Sequence, residues 1–170
     1  MNKPCATCPF LEANRHKPTP TDFEFNETEW YSEENIKGIW EHMRSSAIEF
    51  LSCHSTDPDY YGKDDKPMYA CVGAASAIYL HLKVYELTGS YKKYVSIVGR
   101  ENAIPFKVLG QKAFAFVIGK TDPSWGNMIL PRALALDMNA MRWPNGFKKV
   151  LRYLKKNMSN GKSKADHTTG

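Results

Sequence analysis

Apolar positions recur at helical spacing in three stretches of this 170-residue chain and lose that spacing between them. In the first, Ile36, Ile39, Trp40 and Met43 follow i, i+3, i+4, i+7 behind Ser32, a residue suited to an N-cap, with Glu33 and Glu34 in the first turn. That pattern predicts a helix to about Ser45. In the second, small residues (Val72, Gly73, Ala74, Ala75) precede bulky ones (Ile78, Tyr79, Leu82, Val84), and Gly89 supplies a stop. This predicts a helix over residues 71–87 whose narrow N-terminal end allows close approach. In the third, Phe147, Val150, Leu151 and Leu154 form a stripe behind Asn145, while Lys148, Lys149, Arg152, Lys155 and Lys156 fill the opposite face. A basic amphipathic helix is expected there.

The stretches between are less regular. Residues 1–31 carry four prolines (Pro4, Pro9, Pro18 and Pro20) and no sustained period, so this segment needs an external tie. Residues 47–53 fit either a continued helix or a strand, and residues 55–67 are dense in turn formers and read as a loop. Residues 91–98 fit helix or strand, and residues 113–118 fit a buried strand or a short helix. After Met158 the residues are small and polar, which predicts a flexible tail. The expected fold is therefore a mainly helical α+β single domain over residues 1–157, followed by a polar tail over 158–170.

Composition changes this picture in two ways. A length of 170 residues with 42% hydrophobic content suits one domain with its own core. The longest nearly uncharged apolar run, residues 70–80, is too short to cross a bilayer, which excludes membrane insertion. No apolar leader follows Met1, so a reducing cytoplasm is expected, where structural disulfides are rare. The net charge of +5 hides an asymmetry, about −7 over residues 1–65 and +12 over the remainder. From Met138 to Ala165 there are eight Lys and Arg and no Asp or Glu. Arg142 joins the five helix cations as a candidate phosphate contact, with Trp143, Phe147 and Tyr153 interleaved for stacking or packing. The same residues also fit a solvated face over core aromatics.

Four cysteines carry the clearest chemistry. Cys5, Cys8, Cys53 and Cys71 give the spacing C-x2-C-x44-C-x17-C. A C-x2-C pair sets two sulfurs on one tight turn, and the fold must bring the other two. Such a site would anchor the irregular first segment to the start of the second helix. The alternative is that Cys53 and Cys71 are small buried hydrophobes beside an exposed pair. One pair with two single cysteines leans toward a [4Fe–4S] cluster rather than the two knuckles of a zinc ribbon, with zinc as the alternative cofactor. His54 could make a hydrogen bond to a sulfur or stand in for one thiol in a Cys3His site.

Taken together, Pro4-Cys5-Ala6-Thr7-Cys8-Pro9-Phe10, Cys53-His54-Ser55 and Ala70-Cys71-Val72-Gly73 resemble a family of small uncharacterised bacterial and phage proteins with P-C-x-x-C-P, C-H and C-x-G blocks. The resemblance covers about the first half. It implies a four-cysteine metal site and a phage or mobile-element origin, and it supplies no reaction.

Other motifs fail on inspection. Residues 114–121 end like a phosphate-binding loop, but Phe114 stands where its first glycine belongs. A calcium loop starting at Asp57 has Met68 where its bidentate Glu should be. A dithiol redox centre at Cys5 and Cys8 lacks room for the preceding strand. The expected function is a metal-binding regulatory or binding protein that contacts nucleic acid or a nucleic-acid-associated host protein through Arg142, Lys148, Lys149, Arg152, Lys155 and Lys156. A cluster-dependent enzyme and a host-directed inhibitor with a structural zinc are the alternatives.

Overall fold

The helix capped at Ser32 forms where its apolar spacing places it. The computed structural model of the chain describes residues 4–20, 29–46, 50–53, 67–120, 128–130, 140–142 and 147–165. Within them α1 spans Glu33–Ser45, and the Ser32 hydroxyl accepts a hydrogen bond from the Asn35 N–H at 3.0 Å. Ile36, Trp40 and Met43 are buried on its inner face.

α2 spans Val72–Thr88 and ends at Gly89, whose φ of 66° lets its N–H reach the Tyr85 carbonyl at 3.1 Å. Its residues from Val72 to Ile78 are all buried, so it has no solvent face over its first two turns. A helix apolar all round belongs at the centre of a fold, and α2 contacts each of the other four α-helices among the described residues. It packs against α1, against α3 (Tyr91–Val98), against α4 (Phe106–Ile118) and against α5 (Phe147–Ala165).

Two of the ambiguous stretches, 91–98 and 113–118, resolve to helix. α3 is capped by Ser90, which accepts from the Lys93 N–H at 3.3 Å, a local bond that no strand would offer. Residues 113–118 are the second half of α4, which starts behind Pro105 and stops at Gly119, where φ is 73°. α5 begins as expected but runs to Ala165, beyond the point where a tail is predicted, because the polar residues after Met158 include no proline to stop it.

The β component is smaller than α+β implies. Phe50–Cys53 is extended and joins residue 70 through a Ser52 to Ala70 antiparallel bridge. Leu11–Met141, Tyr69–Ile129 and Lys120–Ile129 are further single bridges, and among the described residues no longer strand forms. The chain is a small, mainly helical one. Residues 47–49 and nearly all of the 55–67 loop lie outside the described residues.

A polar network ties the centre of the core. His81 of α2 is fully buried, stacked at 4.6 Å against Trp40 of α1, and its Nδ1 lies 2.7 Å from the Tyr94 hydroxyl of α3. That hydroxyl also accepts from the Ile104 N–H at 2.9 Å, so one oxygen ties α2, α3 and the residues after α3 together. Burial, reinforced by the charge of Arg44, pushes the His81 pKa down to about 3, which holds the ring neutral. Burial raises the Tyr94 hydroxyl well above the usual tyrosine value.

Candidate metal centre

Each cysteine is positioned by backbone hydrogen bonds. The Cys8 N–H donates to the Cys5 carbonyl at 3.0 Å and the Leu11 N–H to the Cys8 carbonyl at 3.2 Å, which closes the C-x2-C stretch into a turn. Buried Asn14 holds that turn from below, its Nδ2 donating to the carbonyls of Ala6 at 2.8 Å and Cys8 at 3.0 Å. The Trp30 indole N–H donates to the Thr7 carbonyl at 2.8 Å. On the other side, the Cys53 N–H donates to the Tyr69 carbonyl and the Cys71 N–H to the Leu51 carbonyl, both at 2.7 Å. These bonds flank the Ser52–Ala70 bridge, so the bridge fixes the register of Cys53 against Cys71.

The two halves meet at the start of α2. Gly73 is required there. A Cβ on it would stand 2.7 Å from Phe10 Cβ and 2.8 Å from Cys8 Sγ, distances that no real side chain tolerates. Cys8, Cys53 and Cys71 are buried and Cys5 is half-buried.

The thiols interact in two pairs, Cys5 with Cys53 and Cys8 with Cys71. The hydrogen bond to Cys53, and after it burial, raises the Cys5 thiol far above its ordinary value, with like-charge repulsion from Cys53 and Cys71 adding to the effect. Contact with Cys71 followed by burial does the same to Cys8. Cys71 moves the other way. The Cys8 thiol favours its thiolate, against burial, and the first-turn N–H groups of Ala74 and Gly73 face its sulfur at longer range than a capping bond. Two thiol pairs from distant segments therefore lie near one another at the N-terminus of α2, where Cys71 is shifted toward its thiolate and Cys5 and Cys8 away from theirs.

Among the described residues no three His, Cys, Asp or Glu side chains converge as they stand on a point where one ion would touch all of them. The arrangement is a pair of pairs. Its chemistry fits a thiolate-binding metal or cluster: four soft donors, buried surroundings that include Phe10 and Val72, and peptide N–H groups aimed at sulfur. His54 and the acids Asp57, Asp59, Asp64 and Asp65 lie outside the described residues.

The basic residues divide into two groups. Lys148, Lys149, Arg152, Lys155 and Lys156 are exposed along one side of α5, while Val150 and Leu154 are buried on the other. Arg142 is elsewhere. Its side chain is buried, donating from Nη1 to the Tyr31 carbonyl and from Nη2 to Glu33 at 3.0 Å. Arg15 donates to the same Glu33 oxygen and to Glu12, so a carboxylate sits between two guanidinium groups. Arg142 is a clamp between residues 140–142 and α1, and it is not part of the α5 face.

Sequence reasoning missed this clamp because its partners lie more than 100 residues apart. It also missed Lys112, fully buried in α4 with its ammonium 4.1 Å from the centre of the Phe50 ring. The clamp borders an open pocket of about 470 Å³ in which Arg15, Lys17 and Arg142 are offset by Glu29 and Glu33. Among the described residues no helix is long and apolar enough to cross a membrane. No protein-family model, curated protein or solved structure matches the chain, so the resemblance of its cysteine blocks rests on those residues alone.

Proposed function

We propose that the chain is a four-cysteine metal protein whose α5 helix contacts nucleic acid. The observation that carries the reading is the gathering of Cys5, Cys8, Cys53 and Cys71, from three separate segments, at the N-terminus of α2. A bound cation would replace the protons that the thiol–thiol hydrogen bonds and burial hold on Cys5 and Cys8. The preferred occupant is a [4Fe–4S] cluster, held by the four cysteines, and zinc is the alternative. When bound, the group supplies folding energy to residues 4–20 and, if it is a cluster, one-electron chemistry. The chain's own contribution is to bury the sulfurs and aim peptide N–H groups at them.

The nucleic-acid part rests on the exposed, acid-free face of α5. Lys148, Lys149, Arg152, Lys155 and Lys156 lie along it, a row suited to a phosphate backbone. Contacts of this kind position a protein without reading sequence.

Metal and acid-labile sulfide analysis of anaerobically purified protein, with its visible spectrum, tests the first part. About four irons and four sulfides per chain support the cluster, about one zinc without sulfide supports the alternative, and no metal in either preparation overturns the centre. Titration of a fluorescent duplex and a single strand over a range of salt tests the second part. A steep salt dependence that falls by about one per lysine removed from the face is expected, and absent or salt-insensitive binding refutes it.

A further inference from the structure

α4 is apolar on both sides. Its inner face buries Val108, Leu109 and Ala115 with Lys112. At 100° per residue, Phe106, Gly110, Phe114 and Val117 fall within an arc of about 80° directly opposite. Phe106 and Phe114 are each 62% exposed and Val117 is 83% exposed, with Ile118 beside them. A helix on a protein surface ordinarily turns charge to this side, yet Lys107 is the one charged residue among the exposed positions of α4.

The spacing of the stripe is self-complementary. Phe106, Gly110, Phe114 and Ile118 follow at intervals of four. If a second α4 lies antiparallel across a two-fold axis level with residue 112, Phe114 of each copy stands over Gly110 of the other, and Phe106 stands against Ile118. Gly110 has nothing within 4 Å of the place where a Cβ would be, so no part of its own chain fills that hollow. The residues nearest the axis, Gln111 and Ala113, are uncharged, and Lys107 falls at the outer ends, where its stem can lie along the seam and its ammonium can reach water.

We propose that this face of α4 is a homodimer interface, two copies packing α4 against α4 antiparallel about a two-fold axis with Phe114 of each seated over Gly110 of the other. Large side chains against a small one let helix axes approach to about 8–10 Å, and an isologous contact of this kind closes at two copies. The exposed parts of the four large apolar side chains offer on the order of 400 Å² per copy. Gln111, Ala113 and the Lys107 stem raise the total buried over both copies to about 1,200 Å², the lower edge of specific interfaces, so a dissociation constant on the order of micromolar is expected.

Sedimentation velocity of the full chain with its native metal, from low to high micromolar concentration, reads the outcome. The expected result is a reversible shift from the 19.3 kDa monomer to twice that mass. Phe114→Ser and Val117→Lys should each weaken the dimer at least tenfold, with the circular dichroism spectrum unchanged because both residues face solvent in the monomer. Gly110→Gln is the sharper variant. It fills the hollow and favours the helix, so the thermal midpoint at low concentration should rise by about 2–4 °C while dimerisation weakens. Unfolding cannot produce that combination. A wild-type chain that stays monomeric throughout, a dimer indifferent to all three substitutions, or open assemblies larger than two copies would each overturn the proposal.

Discussion

Replacing Gly73 by alanine probes the closest approach in the molecule. A methyl group at that position meets Phe10 Cβ at 2.7 Å and Cys8 Sγ at 2.8 Å. Neither is the far end of a flexible chain. Phe10 is fully buried, and Cys8 is tied through its backbone to Cys5 and Leu11. Relief requires the 5–10 turn to move off α2, and overpacking of this kind costs about 1–3 kcal/mol. Better helix propensity returns at most about 1 kcal/mol, and less in a first turn. The comparison is Gly38, also within a helix, where a Cβ would meet nothing within 4 Å. Gly38→Ala should stabilise by up to about 1 kcal/mol, raising the thermal midpoint by about 2–4 °C, whereas Gly73→Ala should lower it by a similar or larger step. Thermal melts of both variants, with bound metal quantified beside them, decide the matter. If Gly73→Ala melts at or above the wild-type temperature and holds metal equally well, the close contact between the first segment and α2 does not carry the site.

Three further outcomes follow from the core and the clamp. His81, with a pKa near 3 when folded against an ordinary value of 6.5, opposes folding once protonated. The unfolded chain therefore binds the extra proton between these values, and stability that is complete above pH 6.5 falls toward pH 3 by up to about 1.4 kcal/mol per unit. Urea unfolding at pH 7 and pH 5 should show this loss in the wild type and a flatter profile in His81→Leu; equal slopes would contradict the assignment. Tyr94→Phe removes the hydroxyl shared by His81 and the Ile104 N–H, leaving two buried polar groups without that partner, so a loss of about 2–4 kcal/mol is expected in the same assay, and a change under 0.5 kcal/mol would refute the network. Arg142→Met abandons the Tyr31 carbonyl and Glu33 and should cost about 1–3 kcal/mol while leaving nucleic-acid affinity per folded molecule unchanged; weakened binding without lost stability would return Arg142 to the interface.

What the sequence discloses tracks the range of the interaction responsible. α1 is legible because Ser32, its acidic first turn and its apolar spacing all act within a few residues. The buried end of α2 is legible for the same reason, since only small residues can lie where another segment crosses as closely as Phe10 does. Residues 113–118 are ambiguous in isolation because α4 is apolar on both sides and its pattern carries neither a clean period of two nor one of 3.6 residues. The C-x2-C turn is local, so Cys5 and Cys8 can be paired with each other by inspection. The cross-pairing of Cys5 with Cys53 and Cys8 with Cys71 depends on the Ser52–Ala70 bridge, which no local signal announces. Arg142 shows the opposite error. Its neighbours in sequence are basic, but its neighbours in space are Tyr31 and Glu33, and burial spends its charge inside the fold.

The same topology separates the two proposed activities. The cysteines gather at the N-terminal end of α2, against residues 5–10 and the Ser52–Ala70 bridge, whereas α5 packs on α2 and on α3. Val150 and Leu154 anchor α5 in the same hydrophobic core to which Cys8 and Cys71 belong, while the exposed cations of α5 lie on its opposite side. Losing a metal would loosen first the segment that holds Cys5 and Cys8, residues 4–20, whose other contacts with the rest include buried Phe10, Leu11, the Trp30 hydrogen bonds to Thr7 and Thr19, the backbone bonds to Ala140 and Arg142, and the Arg15–Glu33 pair. That exposed ion pair adds little, on the order of 0–1 kcal/mol, so buried Phe10 and the hydrogen bonds to Trp30, Ala140 and Arg142 hold the segment once the sulfurs let go. The basic face, by contrast, stays presented as long as α2 and α3 remain packed, and the His81–Tyr94 network joins those two helices without reference to any cysteine.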